Sequence, residues 1–222
     1  MYEGIETIRR IWSEGRITTA GAAGGETEIT VLPRPLRPEL PLWVTTSGTP
    51  ATWEKAGAIG ANVLSGLHGD PEGQLAARID RYRRSRREHG HDAAAGRVTV
   101  MLHTFLGQDL ERVRETVRPA MVSYLKTFVA EGKAGLDAAS LGMPPSALGD
   151  RDQEDLAAFA FNQFFGERSL LGTPESCAPL IARLQRIGVD EVACLLDFGL
   201  DAATVRSGLP FLDRLRREAG SG

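Results

Sequence analysis

Short β-prone runs alternate with amphipathic helical stretches along most of this chain, and that alternation limits the fold more than any other feature. Leu42-Trp43-Val44-Thr45-Thr46 is the first run and ends in Ser47-Gly48-Thr49-Pro50, after which a helix is predicted over 51–59. Ala61-Asn62-Val63-Leu64-Ser65 is the second, followed by a helix over 71–89 with Leu75, Ile79 and Tyr82 on one face. The third, over 98–105, precedes a helix marked by Leu110, Val113, Val117, Met121, Tyr124 and Phe128, spaced three and four apart. Between 132 and 172 the pattern is less regular, with one helix predicted around 155–165. A helix over 174–187 stops at Gly188, a fourth run spans 192–198, and the last segment carries Val205, Leu209, Leu212 and Leu215 with an interruption near Pro210. Strands that alternate with helices of ten or more residues form parallel βα units with right-handed crossovers, so the fold class is α/β. The runs are mostly apolar, as in strands covered on both faces.

Ahead of this alternation, Ile5, Ile8, Ile11 and Trp12 define a helix over 2–14 that Gly15 would end. Residues 16–38 read as a short strand or hairpin bounded by Pro33, Pro35 and Pro38. With 42% hydrophobic and 25% charged residues, the chain is too apolar for intrinsic disorder. A net charge of −3 gives no general attraction to nucleic acid or anionic lipid. No stretch approaches the roughly 18 apolar residues of a membrane span, and the first residues form a charged amphipathic helix without a secretory core, so a cytoplasmic protein is expected. The two cysteines, Cys177 and Cys194, are too few for a disulfide scaffold and are expected as reduced thiols.

The sharpest local chemistry lies at the first strand-to-helix turn. Unpaired amides at a helix N-terminus, a glycine at Gly48 and the hydroxyls of Thr46, Ser47 and Thr49 would seat a phosphate, although plain N-capping needs only one of those hydroxyls. Arg78, Arg81, Arg83, Arg84, Arg86 and Arg87 crowd one helix and read as a solvated face, without the aromatic residues of a nucleic-acid surface. His89-Gly90-His91-Asp92 has the composition of metal ligands but the position of a helix end. His103, near the end of a strand-like run, fits either an acid–base or binding group or a satisfied core imidazole. Asp197 fits a site residue or the N-cap of the last helix. Neither cysteine has a histidine or CxxC neighbour, and no Walker A, GxGxxG or GxSxG sequence occurs.

Four segments taken together, YEGIETIRRIWSEG, LPLWVTTSGTPATWEKAGAIGANVLSGL, VTVMLHTFLG and LLGTPESCAPLIARLQRIGVDEVACLLDFG, resemble in order the C-terminal half of the luciferase-like flavin-dependent monooxygenases. The branch found in natural-product biosynthesis is the most similar, and the resemblance covers residues 2–215. It implies a (β/α)8 barrel with FMN at the C-terminal ends of the strands, its phosphate on the turn formed here by Thr46, Ser47, Gly48 and Thr49. Val44 and the strand end at Leu64 and Ser65 would flank the flavin. The implied activity is that of an oxidoreductase that uses O2 and reduced FMN, delivered by a separate flavin reductase, to oxygenate a natural-product intermediate, free or carrier-bound.

About four βα units are visible, whereas a whole barrel has eight in roughly 250 residues. The expectation is therefore a single partial barrel over 1–222 with an insert at about 132–172, lacking the half that in the family commonly supplies the catalytic histidine. Half a ring leaves an open apolar groove and unpaired strand edges. Self-association or a separate N-terminal half would cover them. A second function fits the same residues: a non-catalytic barrel remnant that serves as a binding or interaction module.

Overall fold

The computed structural model describes residues 2–21, 24–37, 39–46, 49–67, 73–130 and 149–220. Its chain contacts group into two units, Met1–Leu42 and Trp43–Gly222. In the first, helix α1 (Tyr2–Glu14) ends where Gly15 takes φ +79°, a left-handed turn that an L side chain rarely adopts. Strands β1 (Arg16–Ala20) and β2 (Glu26–Thr30) then form an antiparallel hairpin with Arg16 opposite Thr30. The Trp12 indole donates to the Arg37 carbonyl at 2.9 Å and the Arg34 guanidinium to that of Ser13 at 2.9 Å, closing this unit on itself.

The second unit is the parallel sheet that the alternation predicts. Its elements are β3 (Trp43–Thr46), α2 (Pro50–Ala58), β4 (Asn62–Gly66), α3 (Gly73–Glu88), β5 (Val98–Leu106), α4 (Leu110–Ala130), α5 (Asp150–Phe164), β6 (Leu170–Gly172), α6 (Pro174–Arg186), β7 (Glu191–Leu195) and α7 (Ala202–Ala219). Strand β5 is the longest and holds three parallel partners. Strand β4 pairs along Val98–Met101, β7 along Thr99–His103 and β6 along Thr104–Leu106, while β3 pairs with β4.

Four details depart from the sequence expectation. The sheet contains β6, three residues too few to show a periodicity, and α5 begins at Asp150, where Gly149 caps it, five residues ahead of its expected start. Helix α7 runs unbroken through Pro210 and starts from a different cap: Asp201, not Asp197, accepts from the amides of Ala203 and Thr204. Residues 131–148, which hold the first part of the expected insert, lie outside the described residues; α5 and β6 occupy the rest of it.

Strand alternation divides the sheet into two unlike faces. Val44, Thr46, Val63, Ser65, Val98, Val100 and Leu102 are buried on the face over which α2 packs on β3 and β4, and α7 on β5. Trp43, Thr45, Leu64, Met101 and Leu195 occupy the other face and are exposed or half-buried. That is the face a closed barrel would turn inward. Toward the end of β5 it is covered: Phe105 joins a core built with Val113, Val117, Met121 and Leu125 of α4 and Ala157, Ala160 and Phe161 of α5.

Candidate functional site

The β3–α2 connection places Thr46 at the C-terminal end of an outer strand and Thr49 immediately before a helix; Ser47 and Gly48 lie outside the described residues. Ser65 Oγ donates to the Thr46 carbonyl at 3.0 Å, so the ends of β3 and β4 are tied together through a buried hydroxyl. Thr49 has φ −67° and ψ 117°, and its exposed side chain makes no capping hydrogen bond to α2. Pro50 opens the helix, no acidic residue stands in its first turn, and Lys55 lies in its last. Thr49 therefore does not supply a side-chain N-cap. The partial positive charge of the helix start is left without a carboxylate or hydroxyl partner from Thr49. Of the three flanking candidates, Leu64 sits half-buried on the open face, whereas Val44 and Ser65 are buried, 6% and 3% exposed, on the helix-covered face.

His103 occupies the open face of β5, in register with Leu195 and three residues before the strand ends. It is 7% exposed, and its Nε2 has no hydrogen-bond partner among the described residues. Three aromatic rings meet the imidazole edge-to-face: Tyr124 of α4 at 5.0 Å, and Phe164 of α5 and Phe198, between β7 and α7, each at 5.8 Å. Burial lowers its pKa to about 4, so the ring is neutral at physiological pH. Burial also raises the Tyr124 phenol, with a smaller contribution from the Asp197 carboxylate. The sequence marked His103 alone. Its ring partners come from three separate elements whose meeting leaves no local spacing signal.

The remaining candidates are structural. The arginines of α3 are not a uniformly solvated face: Arg86 is 5% exposed and donates to the carbonyls of Asp92 and Ala61, and Arg83 pairs with Asp190. Arg81 pairs at the surface with Glu54 at 2.9 Å. In the helix-end segment, His89 Nδ1 lies 2.9 Å from the Ser85 carbonyl and His91 Nε2 lies 3.1 Å from that of Ala58. Asp92 accepts from the Ala94 amide, and the described residues contain no cluster of His, Cys, Asp and Glu able to hold a metal ion. Among the described residues, no helix is long and apolar enough to cross a membrane.

A sequence model of the luciferase-like monooxygenases matches residues 1–191, most of the chain. The chain belongs to that family. No curated protein matches it by sequence. Solved structures share the fold at low identity. The monooxygenase RslO1 from Streptomyces bottropensis superposes with TM-score 0.62 at 22% identity, over 98% of this chain and 60% of its own. The oxygenating constituent of 3,6-diketocamphane monooxygenase from Pseudomonas putida, solved with FMN, gives 0.64 at 15%, covering 98% and 62%. The coenzyme F420 dependent tetrahydromethanopterin reductase from Methanopyrus kandleri gives 0.67 at 17%, covering 96% and 62%. This luciferase-like chain thus spans about three fifths of the structures it resembles. Its open sheet face and partial barrel follow from that span.

Proposed function

We propose that this luciferase-like chain is part of an FMN-dependent monooxygenase acting on a natural-product intermediate, with the β3–α2 turn as the phosphate seat. The observation that carries the reading is the start of α2. It stands at the C-terminal end of a parallel strand, is free of acidic residues in its first turn, and is not capped by Thr49. A dianionic phosphate fits such a position, where a carboxylate would repel it. The hydroxyl of Thr49 would hold the phosphate with Ser47 and the Gly48 backbone, while Thr46 and Ser65 keep the two strand ends in place. Leu64, on the open face, would line the flavin ring, and Val44 would support the seat from the core side.

Bound reduced FMN would supply the electrons with which one oxygen atom of O2 enters the organic substrate and the other leaves as water. The chain's own share is to hold, orient and exclude water. A separate flavin reductase and the remaining strands of the barrel are the partners this reading requires. The FMN complex of the camphane enzyme supports FMN, and the F420-dependent reductase sets the competing cofactor class.

Fluorescence titration with FMN and riboflavin tests the seat. FMN is expected to bind with a dissociation constant of tens of micromolar or weaker, about tenfold tighter than riboflavin, because each tenfold corresponds to about 1.4 kcal/mol. Thr49→Glu, which places a carboxylate at the helix start, should weaken FMN at least tenfold and leave riboflavin within twofold. Equal affinity of the wild-type chain for FMN and riboflavin would overturn the seat.

A further inference from the structure

His103 stands apart from the phosphate seat. Strand β4 lies between β3 and β5, and at roughly 4.8 Å per strand step the two positions are about 10 Å apart across the sheet. The rings around His103 come from α4, α5 and the β7–α7 connection, and none comes from β3 or α2. Two of them, Tyr124 and Phe164, are half-buried and form the outer wall of the collar, while Phe198 is 2% exposed and forms its floor; Nε2 itself is closed off from solvent, so an occupant reaches it only by displacing an outer ring.

An apolar residue would fill this position without penalty. A buried nitrogen that finds no partner forfeits its hydration and receives nothing in return, and buried polar atoms in folded proteins are overwhelmingly paired. Trp53 Nε1 is the other such atom among the described residues, and it lies in α2 within the core; what sets His103 apart is its place. His103 lies on the face that the barrel turns inward, near the C-terminal end of the central strand, where the ligands of parallel α/β proteins bind. Its neutral imidazole offers one N–H and one lone pair, enough to meet a carbonyl or hydroxyl and too weakly charged to select an anion.

We infer that His103, with its collar of Tyr124, Phe164 and Phe198, forms the substrate-side slot of the strand-end site, a positioning device that takes a conjugated organic molecule against the rings and holds its carbonyl or hydroxyl at Nε2. The occupant rests on the monooxygenase reading above; the slot rests on the geometry.

Melting curves and ligand-observed NMR with acetophenone and ethylbenzene, on the wild-type chain and the variants His103→Leu and His103→Gln, test it. Removing an unpaired nitrogen should leave the melting temperature of His103→Leu unchanged or raise it by ~2–4 °C. The wild type should favour acetophenone over ethylbenzene about fivefold, the contribution of one hydrogen bond. His103→Leu should lose that preference and His103→Gln keep it. A fall of several degrees in His103→Leu would make the residue a structural one and end the inference, as would equal binding of the two probes to wild type or a preference that survives in His103→Leu. FMN affinity should stay within twofold in His103→Leu; a tenfold loss would give the slot to the flavin ring and overturn the substrate assignment. Absence of FMN binding to the wild type would sink the cofactor reading alone, because the melts and the two probes still decide the slot.

Discussion

Arg83 and Asp190, 107 positions apart in the chain, meet at 2.6 Å. The same carboxylate oxygen accepts from the Val98 amide at 2.7 Å, and the same guanidinium reaches the carbonyls of Ala93 and Gly96. One pair thereby joins α3, the loop that leads into β5 and the residue just before β7. Its side chains are 18% and 34% exposed, unlike the Arg81–Glu54 pair at 54% and 48%. Replacing Asp190 with Ala leaves a partly buried guanidinium and the Val98 amide without that acceptor. A loss of about 2 kcal/mol is expected, a fall of ~4–8 °C in melting temperature. Arg81→Ala should cost less than about 1 kcal/mol. Thermal melts of the two variants check the contrast, and equal melts would mean that the clamp does not hold the sheet.

Helices α2 and α3 approach closely at Gly57. A Cβ built there would lie 2.6 Å from the Tyr82 carbonyl oxygen and 2.9 Å from Ser85 Cβ, so backbone would have to move. The Tyr82 hydroxyl bond to the Ala61 carbonyl and the Ser85 hydroxyl bond to that of Glu54 pin the same interface. Gly57→Ala should destabilise by about 1–3 kcal/mol despite alanine's better helix propensity. Gly4→Ala, in α1 with nothing within 4 Å, should instead be neutral or stabilise by up to about 1 kcal/mol. Denaturant midpoints read both.

The two thiols should differ in reactivity. Burial pushes the Cys177 thiol up to about 11, and the residue is 3% exposed beside Ser176. Cys194 is exposed on β7 and lines a groove of about 400 Å³ with Leu184, Leu212 and Leu215, whose apolar walls account for the burial that raises its thiol. With a disulfide reagent at pH 8, one thiol per chain should react, more slowly than free cysteine, and the second only in denaturant. Two fast thiols in the folded protein would contradict this packing.

The parts of this fold that can be read from sequence are those with a period. The helices over Val113, Val117 and Met121 and over Leu75, Ile79 and Tyr82 appear because one face is buried, and β4 and β5 appear as apolar runs because the residues between helices must be. Strand β6 carries no such signal. Leu170, Leu171 and Gly172 matter only because β5 is long enough to take a second partner beyond β7. The α7 cap moved from Asp197 to Asp201 because four further residues intervene before the helical φ and ψ begin, a boundary that composition does not fix. Arg86 was misread for another reason: a long side chain on a charged helix can turn back under Tyr82 and satisfy loop carbonyls, and sequence spacing does not record which way it turns. At the candidate site, the hydroxyls of Thr46 and Thr49 were legible at the first strand-to-helix turn and Ser65 only through the family resemblance, whereas the ring collar of His103 exists only once α4, α5 and the β7–α7 connection have packed.

His103 also makes a pH prediction whose sign can be worked out. Its pKa is about 4 in the folded chain against 6.5 for the free side chain, and burial is the cause. Between those values the unfolded chain binds a proton that the folded chain excludes, so stability falls as pH drops from about 6.5 toward 4 and is fully present above that window. Tyr124, whose raised pKa keeps it neutral throughout, adds nothing in this range, and the nearby Asp197 carboxylate acts on Tyr124. The shift corresponds to about 2 kcal/mol lost by pH 5 and about 3 by pH 4. The exposed carboxylates with lowered pKa values, Asp201 and Asp213 among them, add their own acid destabilisation at lower pH, common to wild type and variant. The difference between His103→Leu and wild type isolates the imidazole. The variant's advantage in melting temperature should grow by ~4–8 °C between pH 7.5 and pH 5. Parallel melting curves across that range would mean that the His103 ring is hydrated or paired in solution, and that the collar does not hold it dry.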